Sequence, residues 1–249
     1  MIESYCITDI LNHIDTNINP EEHLIVFDID NTIVESIDQL ASTQWFDAMI
    51  KFKMEQEEIT HSEALQRTLP LSFLLMQQSM VQPIQLATTV ELIKKLQNDR
   101  HKVIALTARS PEPLKVCTIN HLKNVNIDFT RTSIYPHDIV FGPRTQYSSG
   151  IIFAGGNPHK GNVLHTMLNT VGYMPKKIIF IDDKEYNHHA IKETFTPINL
   201  NTTCLWYRYC AEKETQFDLT FTQGRLLSLC DQHPEIDATY QAWLKSAKG

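Results

Sequence analysis

The fold is decided by one stretch of sequence, Leu24-Ile25-Val26-Phe27-Asp28-Ile29-Asp30-Asn31-Thr32. A continuous apolar run of this length, bounded by turn-forming residues, is typical of a strand that is buried on both faces of a parallel sheet. Because residues two apart in an extended chain point to the same side, Asp28 and Asp30 are expected to converge just beyond the carboxyl end of that strand. Open α/β sheets bind their ligands at this edge. The alternative is a strand that ends in two solvated acidic side chains.

The composition is ordinary for a globular protein and narrows the classes of partner. The chain has 249 residues, of which 42% are hydrophobic and 20% charged, and these can bury a sizeable core as one domain with an insertion or as two small domains. A formal net charge of −7 argues against sequence-independent binding of nucleic acid, which requires a basic surface. No nucleic-acid partner is therefore expected.

The sequence also bears on the compartment. No apolar stretch approaches the ~20 residues that are needed to cross a bilayer, and residues 1–19 are polar and acidic, unlike a secretory signal. Five cysteines are scattered without a CxxC pair, which favours reduced thiols over disulfides or a zinc site. We therefore expect a cytoplasmic protein without a transmembrane segment, and its oligomeric state stays open.

Strand-like and helix-like segments alternate along the rest of the chain, which predicts a mostly parallel sheet covered by helices on both faces. Residues 1–22 indicate a short helical lead-in, and residues 139–141 and 151–153 flank a hairpin-like excursion. After the first strand, further strands are predicted at residues 103–106, 127–129, 178–181 and 204–207.

Residues 36–82 carry apolar side chains at helical spacing, which predicts a small helical cap inserted after the first strand. The predicted organisation is a core domain of residues 1–35 and 83–249, with the cap formed by residues 36–82. Helix starts inside the core are predicted at the Thr88–Glu91 capping box, at Ser110-Pro111 and just after Lys160.

Polar residues end three of the predicted strands and a lysine precedes a helix: Asp28 and Asp30, Thr107, Asp182 and Asp183, and Lys160. Since the carboxyl ends of parallel strands gather along one edge of the sheet, these groups are expected to meet although they are far apart in sequence. Carboxylates that are forced together lose hydration and repel one another unless a cation or a shared proton compensates.

These residues resemble the four sequential motifs of the haloacid dehalogenase (HAD) superfamily in order, spacing and context: Asp28-Ile29-Asp30-Asn31-Thr32, Thr107 at a strand end, Lys160 before a helix, and Ile181-Asp182-Asp183. The resemblance covers roughly residues 22–210, with the cap between the first two motifs. It implies a HAD-like α/β fold, that is, a Rossmann-like parallel sheet with helices on both faces and a small helical cap. It also implies a phosphatase that depends on Mg²⁺ and acts on a phosphorylated substrate.

By this resemblance Asp28 is the nucleophile that attacks phosphorus, while Asp30 protonates the leaving oxygen and later deprotonates the attacking water. The second role calls for a carboxyl group with a raised pKa, which a neighbouring acid favours. Mg²⁺ is expected on Asp28, the backbone carbonyl of Asp30, and Asp182. Asp183 is expected to bind the metal through water or to orient Lys160.

The resemblance further implies that phosphoryl oxygens are held by the Thr107 and Lys160 side chains and by backbone groups at Ile29, Asp30 and Ala108. Other chemistries of the superfamily fit less well. Haloacid dehalogenases lack the second aspartate and need no metal, and P-type ATPases require a membrane region. Phosphomutases keep both aspartates and stay open, although hydrolysis is favoured.

Three further polar residues have alternative interpretations. Arg109 either reaches the substrate or braces its loop by pairing with a carboxylate, and the second role is favoured. His188 and His189 are predicted on a solvated helix surface and not at a metal site, because adjacent helical residues point about 100° apart.

A bacterial HAD subgroup is similar in two short segments, Gln44-Trp45-Phe46 and Ser149-Gly150-Ile151-Ile152-Phe153. That subgroup includes effectors that pathogens inject into host cells, some of them similar to tyrosine phosphatases. The resemblance implies a phosphotyrosine protein as substrate, and delivery into a host cell as an alternative to the cytoplasm. A small phosphorylated metabolite or nucleotide is the second substrate class. A catalytically silent domain that binds a phospho-ligand is the alternative outside enzymes.

Overall fold

The structure is a computed structural model and describes residues 1–156 and 159–245. Its strands are β1 (Ile2–Ser4), β2 (His23–Phe27), β3 (Val34–Ser36), β4 (Val81–Pro83), β5 (Lys102–Thr107), β6 (Ile139–Gly142), β7 (Thr145–Ser148), β8 (Ile151–Phe153), β9 (Lys177–Asp182) and β10 (Asn201–Tyr207). Its helices are α1 (Thr43–Glu57), α2 (His61–Gln78), α3 (Ala87–Asn98), α4 (Pro111–Asn124), α5 (Lys160–Val171), α6 (Glu185–Phe195), α7 (Ala211–Thr215), α8 (Leu219–Gln232) and α9 (Pro234–Lys245).

The main sheet has the strand order β1-β10-β9-β2-β5-β8-β7-β6. In this spatial order, the six strands β1, β10, β9, β2, β5 and β8 run parallel to their neighbours. The last two strands, β7 and β6, form an antiparallel edge. Every residue of β2 is buried, as its apolar run indicated. Helices from the intervening segments flank the sheet, so the predicted α/β fold class with a mostly parallel sheet is confirmed.

The register of the sheet brings the ends of two strands side by side. Phe27 of β2 lies opposite Ile181 of β9 on one side and Ala105 of β5 on the other. The backbone N–H of Asp28 donates to the carbonyl of Ile181 at 2.9 Å. Asp28 follows Phe27 and Asp182 follows Ile181, so both aspartates lie at the same carboxyl edge of the sheet.

The chain forms two compact units, Met1–Val34 with Pro83–Cys210, and Glu35–Gln82 with Ala211–Gly249. The second unit differs from our prediction, which placed residues 211–249 in the core domain. Its apolar cluster explains the difference, because Leu226 of α8 and Trp243 of α9 pack with Trp45 of α1 and Leu71 of α2. Residues 246–249 lie outside the described part of the chain.

The predicted strand at residues 127–129 is wrong. Oδ1 of Asp128 accepts hydrogen bonds from the N–H of Thr130 at 2.8 Å and from its hydroxyl at 2.7 Å, and the chain turns into a short 3₁₀ helix. The central sheet is extended instead by β8, which pairs in parallel with β5. The hairpin consists of β6 and β7, and β1 adds a strand to the segment that we predicted as a helical lead-in.

One of the three predicted helix starts follows the sequence, since α5 begins at Lys160. In α4 the side chain of Ser110 makes no capping hydrogen bond, and the backbone of Glu112 and Pro113 is not helical, so the regular helix starts after Pro113 and not at Ser110-Pro111 as predicted. The capping box at Thr88 and Glu91 does not form, since α3 already begins at Ala87 without a side-chain cap. Among the described helices, none is both long enough and apolar enough to cross a membrane.

Candidate active site

A buried lysine joins the ends of two neighbouring strands. The ammonium nitrogen of Lys160, at the first position of α5, donates to Oδ1 of Asp28 at 2.5 Å and to Oδ2 of Asp182 at 2.8 Å. All three side chains are buried. The structure therefore brings together three of the residues that the sequence singled out.

Gly161 allows Lys160 to reach this position. The helix α5 lies so close to α6 that a Cβ atom on Gly161 would be 2.1 Å from the carbonyl oxygen of Ala190. One residue before Lys160, Nδ1 of His159 accepts a hydrogen bond from the N–H of Asn162 at 3.1 Å and caps the helix. The glycine and the cap together determine where the lysine stands.

The cluster carries more negative than positive charge. Carboxylate oxygens of Asp28, Asp182 and Asp183 lie within 4.8 Å of one another, and Lys160 provides one positive charge. Burial raises the pKa of Asp28 well above its ordinary value; Lys160 opposes the shift and the neighbouring carboxylates add to it. Burial alone would lower the pKa of Lys160, but the two carboxylates raise it. Oxygen donors with surplus negative charge suit a hard divalent cation such as Mg²⁺.

Both carboxylate oxygens of Asp182 are held by donors. Oδ1 accepts from the N–H of Lys184 at 2.8 Å and from Nδ2 of Asn187 at 2.9 Å, and Oδ2 accepts from the same Nδ2 at 3.0 Å and from Lys160. These contacts fix the carboxylate and direct one oxygen at the lysine.

Asp183 has different surroundings. Its Oδ2 accepts from Nδ2 of Asn31 at 3.3 Å and lies 3.3 Å from Nζ of Lys184. Its backbone carbonyl accepts from the indole N–H of Trp206 at 2.9 Å. Asn31 lies in the left-handed region (φ 59°), which asparagine tolerates better than most residues, and so links the turn after β2 to the end of β9.

Asp30 pairs with Arg109, separately from the Lys160 cluster. Nε of Arg109 donates to Oδ2 at 2.9 Å and Nη2 donates to Oδ1 at 2.7 Å. Burial favours a raised pKa for Asp30, but the charge and hydrogen bonds of Arg109 outweigh it and hold this pKa below its ordinary value. The raised pKa that we expected is therefore wrong, because the nearest partner is a cation. Arg109 takes the favoured of its two predicted roles.

The other predicted phosphate-binding residues lie on the loops beside this edge. Thr107 is buried at the end of β5, and its Oγ1 accepts from the N–H of Arg109 at 3.1 Å. Ala108 is exposed, and its carbonyl accepts from the N–H of Gly156 at 2.8 Å. The carbonyl of Ile29 accepts from backbone N–H groups that close the turn after β2. In the described part of the chain, Thr107 makes its side-chain hydrogen bond to this loop and not to the Lys160 cluster.

A family model described as "Protein of unknown function (DUF2608)" matches residues 3–245. The chain belongs to this family. The DUF2608 chain is also similar to curated proteins that carry the name "Putative outer membrane protein". It is 28% identical over 184 residues to one from Chlamydia trachomatis, covering 71% of this chain and 65% of that protein. The protein from Chlamydia pneumoniae is 28% identical over 167 residues, covering 67% and 62%. The DUF2608 chain thus spans less than two thirds of these relatives.

Solved structures with a similar course of the backbone include two hydrolases. A haloacid dehalogenase-like hydrolase from Streptococcus pneumoniae is 15% identical, covers 73% of the DUF2608 chain and 92% of its own, and has a TM-score of 0.45. A HAD-superfamily hydrolase of subfamily IA from Geobacter sulfurreducens is 13% identical, covers 77% and 98%, and has a TM-score of 0.39.

His188 is buried in the DUF2608 chain, so its predicted place on a solvated surface is wrong. Its Nε2 lies 3.0 Å from the backbone carbonyl of Asp182, and burial lowers its pKa. Ile191 and Phe195 follow His188 by three and seven residues, a helical spacing that puts all three on the buried face of α6. This spacing is visible in the sequence and could have indicated that His188 is buried. His189 is exposed, as predicted.

Proposed function

We propose that this chain is a Mg²⁺-dependent phosphomonoesterase that works through an aspartyl-phosphate on Asp28. The observation that supports the proposal is the buried contact of Lys160 with Asp28 and Asp182 at the carboxyl edge of a parallel sheet. This arrangement combines a nucleophile, a cation for phosphoryl oxygens and ligands for a metal in one place. A carboxylate suits the attack because it needs no base to activate it.

Two steps account for the reaction. In the first, a bond forms between the carboxylate oxygen of Asp28 and phosphorus while the bond to the ester oxygen breaks, and Asp30 gives a proton to that oxygen. In the second, water attacks phosphorus, Asp30 accepts a proton from the water, and inorganic phosphate leaves with regeneration of Asp28. Lys160 and Thr107, with backbone groups at residues 29, 30 and 108, bind the phosphoryl oxygens.

The metal ligands in this proposal are Asp28, the backbone carbonyl of Asp30, and Asp183. This reverses the roles expected for the last two aspartates. Because the two oxygens of Asp182 already accept four contacts from three donor groups, this residue is better suited to orient Lys160 than to bind a cation directly. Bound Mg²⁺ would offset the surplus negative charge and stabilise charge in the transition state.

The substrate in this proposal is phosphotyrosine in a protein. Arg109 donates to both oxygens of Asp30, and this pairing favours the ionised carboxylate over the acid form. Esters whose leaving group departs with little help from an acid are then favoured, and phenolate leaves more readily than an alkoxide. The similarity of two short segments to effector phosphatases is consistent with this choice and extends the proposal to delivery into a host cell. A small phosphorylated metabolite or nucleotide is the second candidate, which a panel of phosphopeptides, sugar phosphates and nucleotides separates from the first.

The experiment that tests the reaction is hydrolysis of an aryl phosphate with and without Mg²⁺, comparing the wild type with Asp28→Asn. We expect hydrolysis that requires Mg²⁺ in the wild type and is lost in the variant. Absence of hydrolysis in the wild type would favour a silent phospho-ligand binding domain. Phosphoryl transfer to a sugar phosphate in preference to water would favour a phosphomutase.

A further inference from the structure

Arg109 is held at both ends of its guanidinium group. On one side, two of its nitrogens donate to the two oxygens of Asp30 at 2.9 and 2.7 Å. On the other side, Nη1 donates to Oγ1 of Thr118 at 3.1 Å and lies 3.4 Å from Nδ1 of His121, both on α4. The arginine side chain is 4% exposed, whereas that of Asp30 is 33% exposed. A partly exposed carboxylate is thus fixed by a buried cation.

Such a pair restricts the orientation of the carboxylate. A guanidinium group presents its donors in a rigid plane that matches a carboxylate, so a bidentate pair fixes direction as well as distance. Each oxygen of Asp30 keeps lone-pair capacity beyond the one bond that it accepts from Arg109. An oxygen held in this way can still accept a proton from water, provided that the water lies within hydrogen-bond reach.

The loop of Arg109 is also held by contacts other than those of this side chain. The N–H of Arg109 donates to Oγ1 of Thr107, and its carbonyl accepts from the N–H of Gly155 at 3.2 Å. The next contact along the loop joins the carbonyl of Ala108 to the N–H of Gly156. These contacts help to hold the loop, and the guanidinium group in addition fixes the orientation of Asp30.

We propose that Arg109 is a positioning residue that aims the Asp30 carboxylate at the water in the second step, the hydrolysis of the aspartyl-phosphate. The inference rests on the proposed function. It separates the two half-reactions, because formation of the aspartyl-phosphate from an ester with a good leaving group needs little help from Asp30. Loss of Arg109 should therefore slow release of phosphate from Asp28 and leave its phosphorylation nearly unchanged.

The test is steady-state and pre-steady-state hydrolysis of p-nitrophenyl phosphate by the wild type and by Arg109→Ala. We expect kcat to fall by ~10²-fold, the effect of misplacing a reacting group. KM should fall in parallel, so that kcat/KM changes little, and a burst of p-nitrophenol should precede slow turnover. A parallel loss of kcat and kcat/KM, or an unchanged kcat, would overturn the proposal. Absence of hydrolysis in the wild type would instead count against the proposed function.

Three further variants sharpen the test. Arg100→Ala is the matched control, because Arg100 also pairs with a carboxylate, that of Glu21, but lies exposed before β5, and both kinetic constants should stay unchanged. In an Asp30→Asn background, Arg109→Ala should lower kcat no further, and an additive loss would contradict positioning through Asp30. If Arg109→Ala fails to fold, Thr118→Val removes one support of the guanidinium group, and a lower kcat with unchanged kcat/KM is again the expected result.

Discussion

Asp182 and Asp183 are adjacent in sequence and yet differ in the groups that surround their carboxylates. Asp182 is fixed by Lys160, Asn187 and the N–H of Lys184. Oδ2 of Asp183 lies 3.3 Å from Nδ2 of Asn31 and 3.3 Å from Nζ of Lys184. The proposed ligand role of Asp183 follows from the first of these facts, since a carboxylate whose two oxygens already accept four hydrogen bonds has little capacity left for a cation.

Asp183→Ala should therefore weaken metal binding more than it changes the reaction at saturating metal. We expect the Mg²⁺ concentration for half-maximal activity to rise by at least the roughly 10–100-fold that is typical when an outer-shell partner of a metal site is lost. Asp182→Asn should reduce activity at every Mg²⁺ concentration, because Lys160 loses a charged partner. Titration of activity with Mg²⁺, together with the Mg²⁺-dependent rise in unfolding temperature, measures both effects. The opposite pattern in the two variants would return the ligand role to Asp182.

The residues of the site were predictable to different degrees. Asp28 and Lys160 follow from local patterns, a strand end and a helix start, and the register of the sheet brings them together. The pairing of Asp30 with Arg109 joins residues 79 apart in sequence, and no local pattern specifies which of several carboxylates an arginine meets. The expected pKa of Asp30 was wrong for this reason, since the shift depends on that contact.

At the scale of elements, the close approach of α5 and α6 determines the position of Lys160. Gly161→Ala should lower the free energy of unfolding by about 1–3 kcal/mol, because the added Cβ would meet the carbonyl oxygen of Ala190 and backbone atoms yield little. Gly224→Ala in α8 is the matched control; a Cβ there meets nothing within 4 Å, and alanine should stabilise the helix by up to about 1 kcal/mol. Urea unfolding of both variants measures the difference, and equal effects would contradict the packing argument.

One strand prediction was wrong because a side chain forms hydrogen bonds that compete with those between strands. Apolar residues at 127 and 129 favour a strand, but the Asp128 carboxylate between them bonds to Thr130 and turns the chain. The short strand β8, with three residues, was predicted as part of a hairpin because its partner β5 is distant in sequence. Parallel pairing of this kind is visible only when the sheet is assembled.

At the scale of the whole molecule, the helices α8 and α9 belong to the unit of α1 and α2, although the sequence placed them with the core. Their apolar residues, Leu226, Leu229, Ile236, Tyr240 and Trp243, gave the correct helical pattern but not the partner. A stripe of apolar side chains indicates that one face of a helix is buried, but it does not specify which apolar surface of the protein covers that face.

Acidification should destabilise the molecule. Burial lowers the pKa of His23 and of His101, and each ring lies 5.1 Å from the other. The unfolded chain therefore takes up protons at these residues near pH ~6.5, where the folded chain does not. Their contribution to stability is complete above that pH and is lost as the pH falls below it.

Urea unfolding at about pH 7.5 and about pH 5.5 checks this expectation. His101→Gln should reduce the loss of stability on acidification, whereas His189→Gln, at an exposed residue, should leave it unchanged. A loss that is the same in the wild type and in His101→Gln would assign the acid sensitivity to other groups.

The nucleophilic role of Asp28 is tested most directly by locating the phosphoryl group during turnover. An aryl phosphate with labelled phosphate is mixed with the protein and Mg²⁺, the reaction is quenched with acid, and the labelled peptide is identified by mass spectrometry. The label should appear on the peptide that contains Asp28 in the wild type and be absent from Asp28→Asn. Turnover without label on that peptide, or label that persists in Asp28→Asn, would contradict the account.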